Sequence, residues 1–335
     1  GANNTACGRK ALIANTTGSE NTAIGQGALQ TSTTASSNTA VGSNALNLNT
    51  SGAQNTAVGV NALRDNTTGA YNTAVGWNAL IVNTGEHNTA VGAEALEACT
   101  TGSYNTALGF FALESLTTGN RNVALGRSAL ANLTTASYNI AIGYGAMAPA
   151  TTADNNVFIG YAAGDALTTG SDNVVVGHLG AQAMTTGSGN VAIGALALDA
   201  ATTAGSNTAV GHEAATALTT GTVNTAVGRQ AMVACTTGDA NACFGENAGT
   251  GITGGDNNVM LGRDAGTSNS PVNVTTGSNY VVLGNNSTSD LYCADTSISS
   301  SDRRDKTDIE NFTHGLDWIT AMNPVTYRWD RRSWY

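Results

Sequence analysis

The stretch Asn55-Thr56-Ala57-Val58-Gly59-Val60-Asn61-Ala62-Leu63-Arg64-Asp65-Asn66-Thr67-Thr68-Gly69-Ala70-Tyr71 decides the fold. Its pattern, N-T-A-V-G-x-x-A-L-x-x-x-T-T-G-x-x, recurs along almost the whole chain. Aligning the glycine that closes N-T-A-V-G gives 17 copies, at Gly8, Gly25, Gly42, Gly59, Gly76, Gly92, Gly109, Gly126, Gly143, Gly160, Gly177, Gly194, Gly211, Gly228, Gly245, Gly262 and Gly284. The spacing is 17 residues, except for 16 between Gly76 and Gly92 and 22 between Gly262 and Gly284. A fixed period marks stacked repeats, and this one is too short for helix–turn–helix units of about 33–47 residues.

Numbering each unit from its Asn, the residues are mostly Gly, Thr, Asn, Ala and β-branched types, a mixture that sums to poor helix propensity. Position 4 is aliphatic in 15 of 17 copies, with Cys7 and Phe244 the exceptions. The residue at position 2 shares its side of a strand, because side chains alternate with a period of two. This reading puts position 4 on the buried side. Ala at position 3 and Gly at position 5 then lie on a side that other backbone approaches closely. Thr-Thr-Gly, as at Thr67-Thr68-Gly69 and Thr219-Thr220-Gly221, predicts a turn with positive φ at the glycine. Each unit is therefore one coil: a short strand, a bend, a second short extended stretch ending near Ala-Leu, and a turn back.

Coils of this kind stack into an all-β, elongated parallel β-solenoid of about 17 coils. At about 4.8 Å per coil the rod is roughly 80 Å long. One coil buries almost nothing, so stability accumulates from interfaces between neighbours. Asn occupies position 1 in 16 of 17 copies, for instance Asn21, Asn38, Asn55 and Asn72. Stacked Asn side chains can hydrogen-bond along the axis and satisfy turn carbonyls. The ladder contains no carboxylates, so neither a metal nor a cofactor is expected there.

Composition agrees. Of 335 residues only 11% are charged and 5% aromatic, with 41 Gly and 3 Pro. The 41% apolar content is too high for disorder, and Ala and Val suit a narrow core repeated many times. No run of 18 apolar residues is present, which excludes a membrane-spanning helix. Residues 1–300 hold 7 Lys+Arg against 17 Asp+Glu, a net of −10, while residues 301–335 hold 6 of each. An acidic body argues against nucleic acid, whose phosphates need clustered Lys and Arg. Five cysteines (Cys7, Cys99, Cys235, Cys243, Cys293) show no CxxC spacing and read as small buried fillers. The chain has no initiator Met or leader pattern and Gly1 precedes a repeat, as in a fragment or processed chain.

Composition shifts at about Ser299, dividing the chain into a repeat shaft, 1–298, and a short α+β module, 299–335. Three of the four Trp (Trp318, Trp329, Trp334) lie in the latter. Leu316, Ile319 and Met322 share one side of a short helix that Pro324 stops, and Val325–Trp329 reads as a strand. His314, before a glycine, reads as a surface turn residue. Thin coils of Ala and Val leave one apolar side in need of cover. Three parallel copies around an axis supply that cover and hide edges, so a homotrimer is expected.

The repeat resembles the head repeats of trimeric bacterial adhesins, with their A-I-G-x-x-A units, and also the repeats of bacteriophage tail fibres. The C-terminus separates the two. Ser301-Asp302-Arg303-Arg304-Asp305-Lys306-Thr307-Asp308-Ile309, then Gly315-Leu316-Asp317-Trp318-Ile319 and Asn323-Pro324-Val325-Thr326-Tyr327-Arg328-Trp329, resemble the opening of the peptidase S74 domain. That domain is the intramolecular chaperone of phage tail spikes and fibres, and residues 301–335 are about a third of its usual length. The resemblance implies Ser301 as nucleophile, Lys306 as its activator and Ser300–Ser301 as the scissile bond. A second reading stays open: Ser301 and Asp302 cap a helix start, Thr307 and Glu310 form a capping box, and Lys306 is solvated.

Two surface rows stand out. Position 17 carries Tyr71, His87, Tyr104, Arg121 and Tyr138 on five consecutive coils; position 6 carries Trp77, Phe110, Arg127, Tyr144, Tyr161 and His178. Aromatic rows interleaved with Arg and His suit sugar binding, which makes Tyr71, Tyr104, Arg121 and Tyr138 glycan-binding candidates. The competing reading takes the position-6 rings as interface packing, since they share parity with position 4. Glu94, Glu97 and Glu114 read as acids that solvate the rod, and no recurrent carboxylate pair suggests a glycosidase.

The expected function is a structural fibre of a phage virion, located in the tail outside the cell. Its partners are further copies of itself, other virion proteins and a host surface receptor, a glycan being one candidate. A bacterial adhesin is the alternative. An ice-binding solenoid comes third, because adjacent Thr pairs do not form the flat T-x-T face that role needs.

Overall fold

The computed structural model describes residues 1–289. Seventeen three-residue strands run from β1 (Thr5–Cys7) to β17 (Val281–Leu283), one in each coil, and no helix occurs among the described residues. Each strand pairs in parallel with those of the coils before and after it, in strict register: Thr56, Ala57 and Val58 lie over Thr73, Ala74 and Val75. The expected β-solenoid is present. The chain divides into two units, Gly1–Thr288 and Ser289–Tyr335.

The expected sidedness of the strand is reversed. Ala at position 3 faces inward and is fully buried in Ala23, Ala40, Ala57 and Ala74, whereas position 4 is nowhere buried in the single chain. Volume explains the reversal. Ala at positions 3 and 8, Leu at position 9 and the position-12 side chain (Leu116, Leu133, Leu167, Leu218) fill the interior of most coils, and a larger position-3 residue is accommodated where a facing position is glycine, as Val175 beside Gly180 and Phe158 beside Gly164. The β-branched residues favoured in strands otherwise point outward.

The second extended stretch is also absent. Positions 6–11 form tight turns whose residues at positions 7 and 9 have positive φ, as in Asn44 (57°) and Leu46 (50°). They still bond from coil to coil: Leu46 N–H donates to the Ala62 carbonyl at 3.0 Å, and Leu48 N–H to Arg64 at 2.8 Å. Nor does the glycine of Thr-Thr-Gly adopt positive φ, which falls instead on positions 5, 7, 9 and 17. Gly69 and Gly221 are needed for a different reason. A Cβ on Gly69 would collide with the carbonyl of Gly85 on the next coil, and one on Gly221 with that of Gly238.

The Asn ladder forms as expected. The Asn38 N–H donates to Oδ1 of Asn21 at 3.0 Å, and its Nδ2 donates to the Gly52 carbonyl at 3.0 Å. This relay runs coil by coil from Asn4 to Asn258, where Oδ1 accepts the Tyr280 N–H at 2.9 Å. A buried polar side chain is tolerated because its donor and acceptor are both used. Irregular coils leave the sheet in register. The 16-residue coil shortens its turn to Thr84-Gly85 while Thr73 still lies over Thr89, and the 22-residue coil keeps Val259 over Val281.

Candidate functional site

The outward strand residues make one long face. Row 2 and row 4 present Thr, Val, Ile and Leu to solvent, with Ile24 42%, Leu108 44%, Leu125 38%, Ile193 41% and Leu261 39% exposed. No charged residue stands at position 2 or 4 in any copy. An apolar stripe carried through every coil far exceeds the isolated exposed side chains normal on a monomer.

Rows 17 and 6 flank this face at the two ends of each strand. In row 17, Tyr71 stacks on His87 (centroids 4.7 Å, planes 3° apart) and His87 on Tyr104 (4.9 Å, 9°). The Arg121 guanidinium lies 5.5 Å from the Tyr104 ring and 5.5 Å from the Tyr138 ring. Its Nη1 donates to the Tyr138 hydroxyl at 2.7 Å. All four sequence-predicted glycan candidates thus belong to one continuous ladder. Row 6 repeats the arrangement: Arg127 sits 5.9 Å from Phe110 and 5.5 Å from Tyr144, followed by Tyr144–Tyr161 at 5.5 Å and Tyr161–His178 at 5.4 Å. Strict register produces both ladders, because a side chain repeated every 17 residues is delivered one strand spacing further along.

Stacking also fixes what the rings offer. Inner rungs have both faces covered, so edges, hydroxyls and guanidinium N–H groups point to solvent. Trp77, whose row-6 neighbours are Val60 and Ala93, stands outside the ladder and is 51% exposed.

Three acids that the sequence leaves as scattered are brought together. One oxygen from each of Glu94, Glu97 and Glu114 lies within 4.8 Å of the others, and all three are half-buried. Partial burial, reinforced by the charges of Glu94 and Glu97, raises the Glu114 carboxyl above its ordinary value. Positions 7 and 10 of one coil and position 10 of the next are the signal, visible only once the register is known.

Cys99, Cys235 and Cys243 are buried and free, as expected of fillers. Burial pushes the Cys99 and Cys243 thiols up to about 12 and that of Cys235 to about 11, far from a reactive thiolate. Cys7 is the exception: it occupies position 4, faces outward and is exposed.

Cys293, Ser300, Ser301, Lys306 and the C-terminal helix and strand lie outside the described residues. A search of curated proteins finds no match to the chain. Residues 301–333 match the family model of Peptidase_S74, the chaperone of endosialidase. The chain thus carries, after a β-solenoid of 17 parallel strands, a segment similar to the chaperone of endosialidase.

Proposed function

We propose that this chain is the shaft of a homotrimeric fibre of a phage virion, displayed outside the cell and supporting attachment to a host surface. The observation that carries the reading is the uncharged face of rows 2 and 4, Thr or aliphatic in row 2 and mostly aliphatic in row 4, followed in the same chain by the chaperone-like segment. Packing three such faces about an axis removes each partly exposed aliphatic side chain from water, a gain of roughly 0.6–1.2 kcal/mol each, the two-fifths still exposed of the about 1.5–3 kcal/mol for full burial. Over many coils this outweighs the cost of association. A match to a chaperone of endosialidase favours the fibre over the bacterial adhesin. The Thr ladder of the Thr-Thr-Gly turn gives the ice-binding reading little support, because its first hydroxyl is used between coils: Thr50 Oγ1 donates to the Thr67 carbonyl at 3.0 Å, and Thr100 Oγ1 to Thr117 at 3.0 Å.

The chaperone-like segment acts on its own chain and on no external substrate. Lys306 takes the Ser301 hydroxyl proton, and Ser301 Oγ bonds to the Ser300 carbonyl carbon. The Ser300–Ser301 C–N bond then breaks, the new amine gains the proton, and water hydrolyses the resulting ester. Cleavage would leave the shaft kinetically trapped. The receptor is a glycan met along row 17, at Tyr71, Tyr104, Arg121 and Tyr138, while other virion proteins hold the fibre to the particle.

The test is the mass of the full-length protein in solution, assembled and denatured. A trimer is expected, falling to single chains or aggregates in the Leu108→Asp/Leu125→Asp variant. A wild-type protein that is monomeric or dimeric at micromolar concentration sinks the trimer. A denatured chain ending at Ser300, restored to full mass by Ser301→Ala, is the cleavage outcome; an uncut wild type defeats that part.

A further inference from the structure

The seven cations of residues 1–300 are not equivalent. Arg64, Arg229 and Arg263 each pair with a carboxylate, of Asp65, Glu246 and Asp264. Arg9 and Lys10, on the first coil, are exposed and outside the ion pairs too, but neither lies over an aromatic ring. Arg121 and Arg127 remain. Both are exposed, and neither forms an ion pair among the described residues. They flank one strand, β8 (Val123–Leu125), from its two ends. Each is held between two aromatic rings, Arg121 by Tyr104 and Tyr138, Arg127 by Phe110 and Tyr144.

We infer that the margins at β8 bind an acidic polysaccharide, with Arg121 and Arg127 as the anion-contacting groups and the stacked rings as splints. This rests on the receptor part of the reading above and names the ligand class.

Three features carry it. First, a guanidinium clamped between rings has lost its rotamer freedom in advance, so less entropy is lost when its N–H fork meets a carboxylate or sulfate. The ring quadrupoles attract the guanidinium and hold it in place. Arg121 spends one donor on the Tyr138 hydroxyl and keeps the rest of its fork. Second, Tyr104 lies between His87 and Arg121, and Tyr144 between Arg127 and Tyr161, so these two rings offer no free face on which a neutral sugar would stack. What remains outward is a row of donors suited to anions. Third, the donors repeat along the rod. His87 and Arg121 are two coils apart in row 17, and Arg127 and His178 three coils apart in row 6. Those spacings are about 10 and 14 Å, longer than one sugar ring, so a polymer fits where a monosaccharide does not. Carboxylates are distant in the same rows. Asp172 is three coils beyond Arg121, and Glu246 seven coils beyond Arg127.

The full-length protein is tested at low salt against three immobilised polymers: polygalacturonate for carboxylate, dextran sulfate for sulfate, and neutral dextran. Binding to at least one acidic polymer is expected at least tenfold tighter than to dextran. Arg121→Gln/Arg127→Gln should lose at least tenfold of it, and Arg229→Gln, whose cation is already paired, less than twofold. Circular dichroism melting verifies that the exposed substitutions leave the fold intact. Equal binding by the double variant and the wild type overturns the inference. Equal binding to dextran overturns the acidic class while leaving a glycan receptor standing. Absence of binding to all three defeats the site altogether, and the fibre reading is then judged separately by the solution mass.

Discussion

Phe158 and Gly164 are a matched pair: the ring stands at position 3, where most coils have Ala, and the glycine at position 9, where most have Leu. A Cβ on Gly164 would collide with the Phe158 ring. The same exchange recurs at Cys243 with Gly249 and at Met260 with Gly266. Core volume is thus held constant within a coil while its distribution between the two walls varies, as close packing requires.

Gly164→Leu alone should overpack the coil and destabilise by at least about 1–3 kcal/mol, and Phe158→Ala alone should open a cavity costing about 3–5 kcal/mol. Together they restore the common Ala/Leu arrangement. The double variant should approach wild-type stability in denaturant unfolding, and additive losses would contradict the pairing.

Glycines at positive φ are not interchangeable. Gly109, at φ 141°, would place a Cβ 2.5 Å from the Gly126 carbonyl oxygen, whereas a Cβ on Gly145, at φ 64°, meets nothing within 4 Å. Gly109→Ala should cost more than about 3 kcal/mol, backbone strain being only part of it. Gly145→Ala should cost about 1 kcal/mol, since Ala162 holds φ 48° at the same position of the next coil. Thermal melting of the two variants distinguishes these outcomes.

Asn122 is buried in mid-ladder. Its Oδ1 accepts the Asn139 N–H at 3.0 Å, and its Nδ2 donates to the Ala136 carbonyl at 2.9 Å. Asn122→Ala orphans both partners, at about 1–3 kcal/mol each. Asn132→Ala, which removes an exposed bond to Ala148, should stay within about 0.5 kcal/mol. Hydrogen exchange should show the Asn139 amide losing protection only in the first variant.

Glu114 binds its proton more tightly folded than unfolded, because burial and then Glu94 and Glu97 raise its pKa above 4.5. A raised carboxylate is neutral for stability at low pH. It becomes a penalty as pH climbs through the unfolded value, and the penalty is full above the folded one. Glu114→Gln should therefore raise the melting temperature at pH 7 and leave it unchanged near pH 3. An equal effect at both values would exclude the electrostatic cause.

The tight turns at positions 6–11, in place of a second extended stretch, were not legible in the sequence; the repeat, the parallel register, the Asn relay and the two aromatic rows were. Each follows from identical residues returning at a fixed interval, and a stack must place like over like. Which side of the strand faces inward was not legible. Thr-Ala-Val alternates equally well in either sense, and only the interior volume of the closed coil decides that Ala enters, a larger residue such as Val175 or Phe158 being admitted where a facing position is glycine. The positive φ values of Asn44, Leu46 and Tyr71 were hidden likewise, since packing overrides what Leu and Tyr prefer in isolation. The sequence named the rows, while the tertiary structure alone brought Glu94, Glu97 and Glu114 together and stacked the rings face to face. Chemistry depends on distances between coils, and only the closed and stacked backbone sets them.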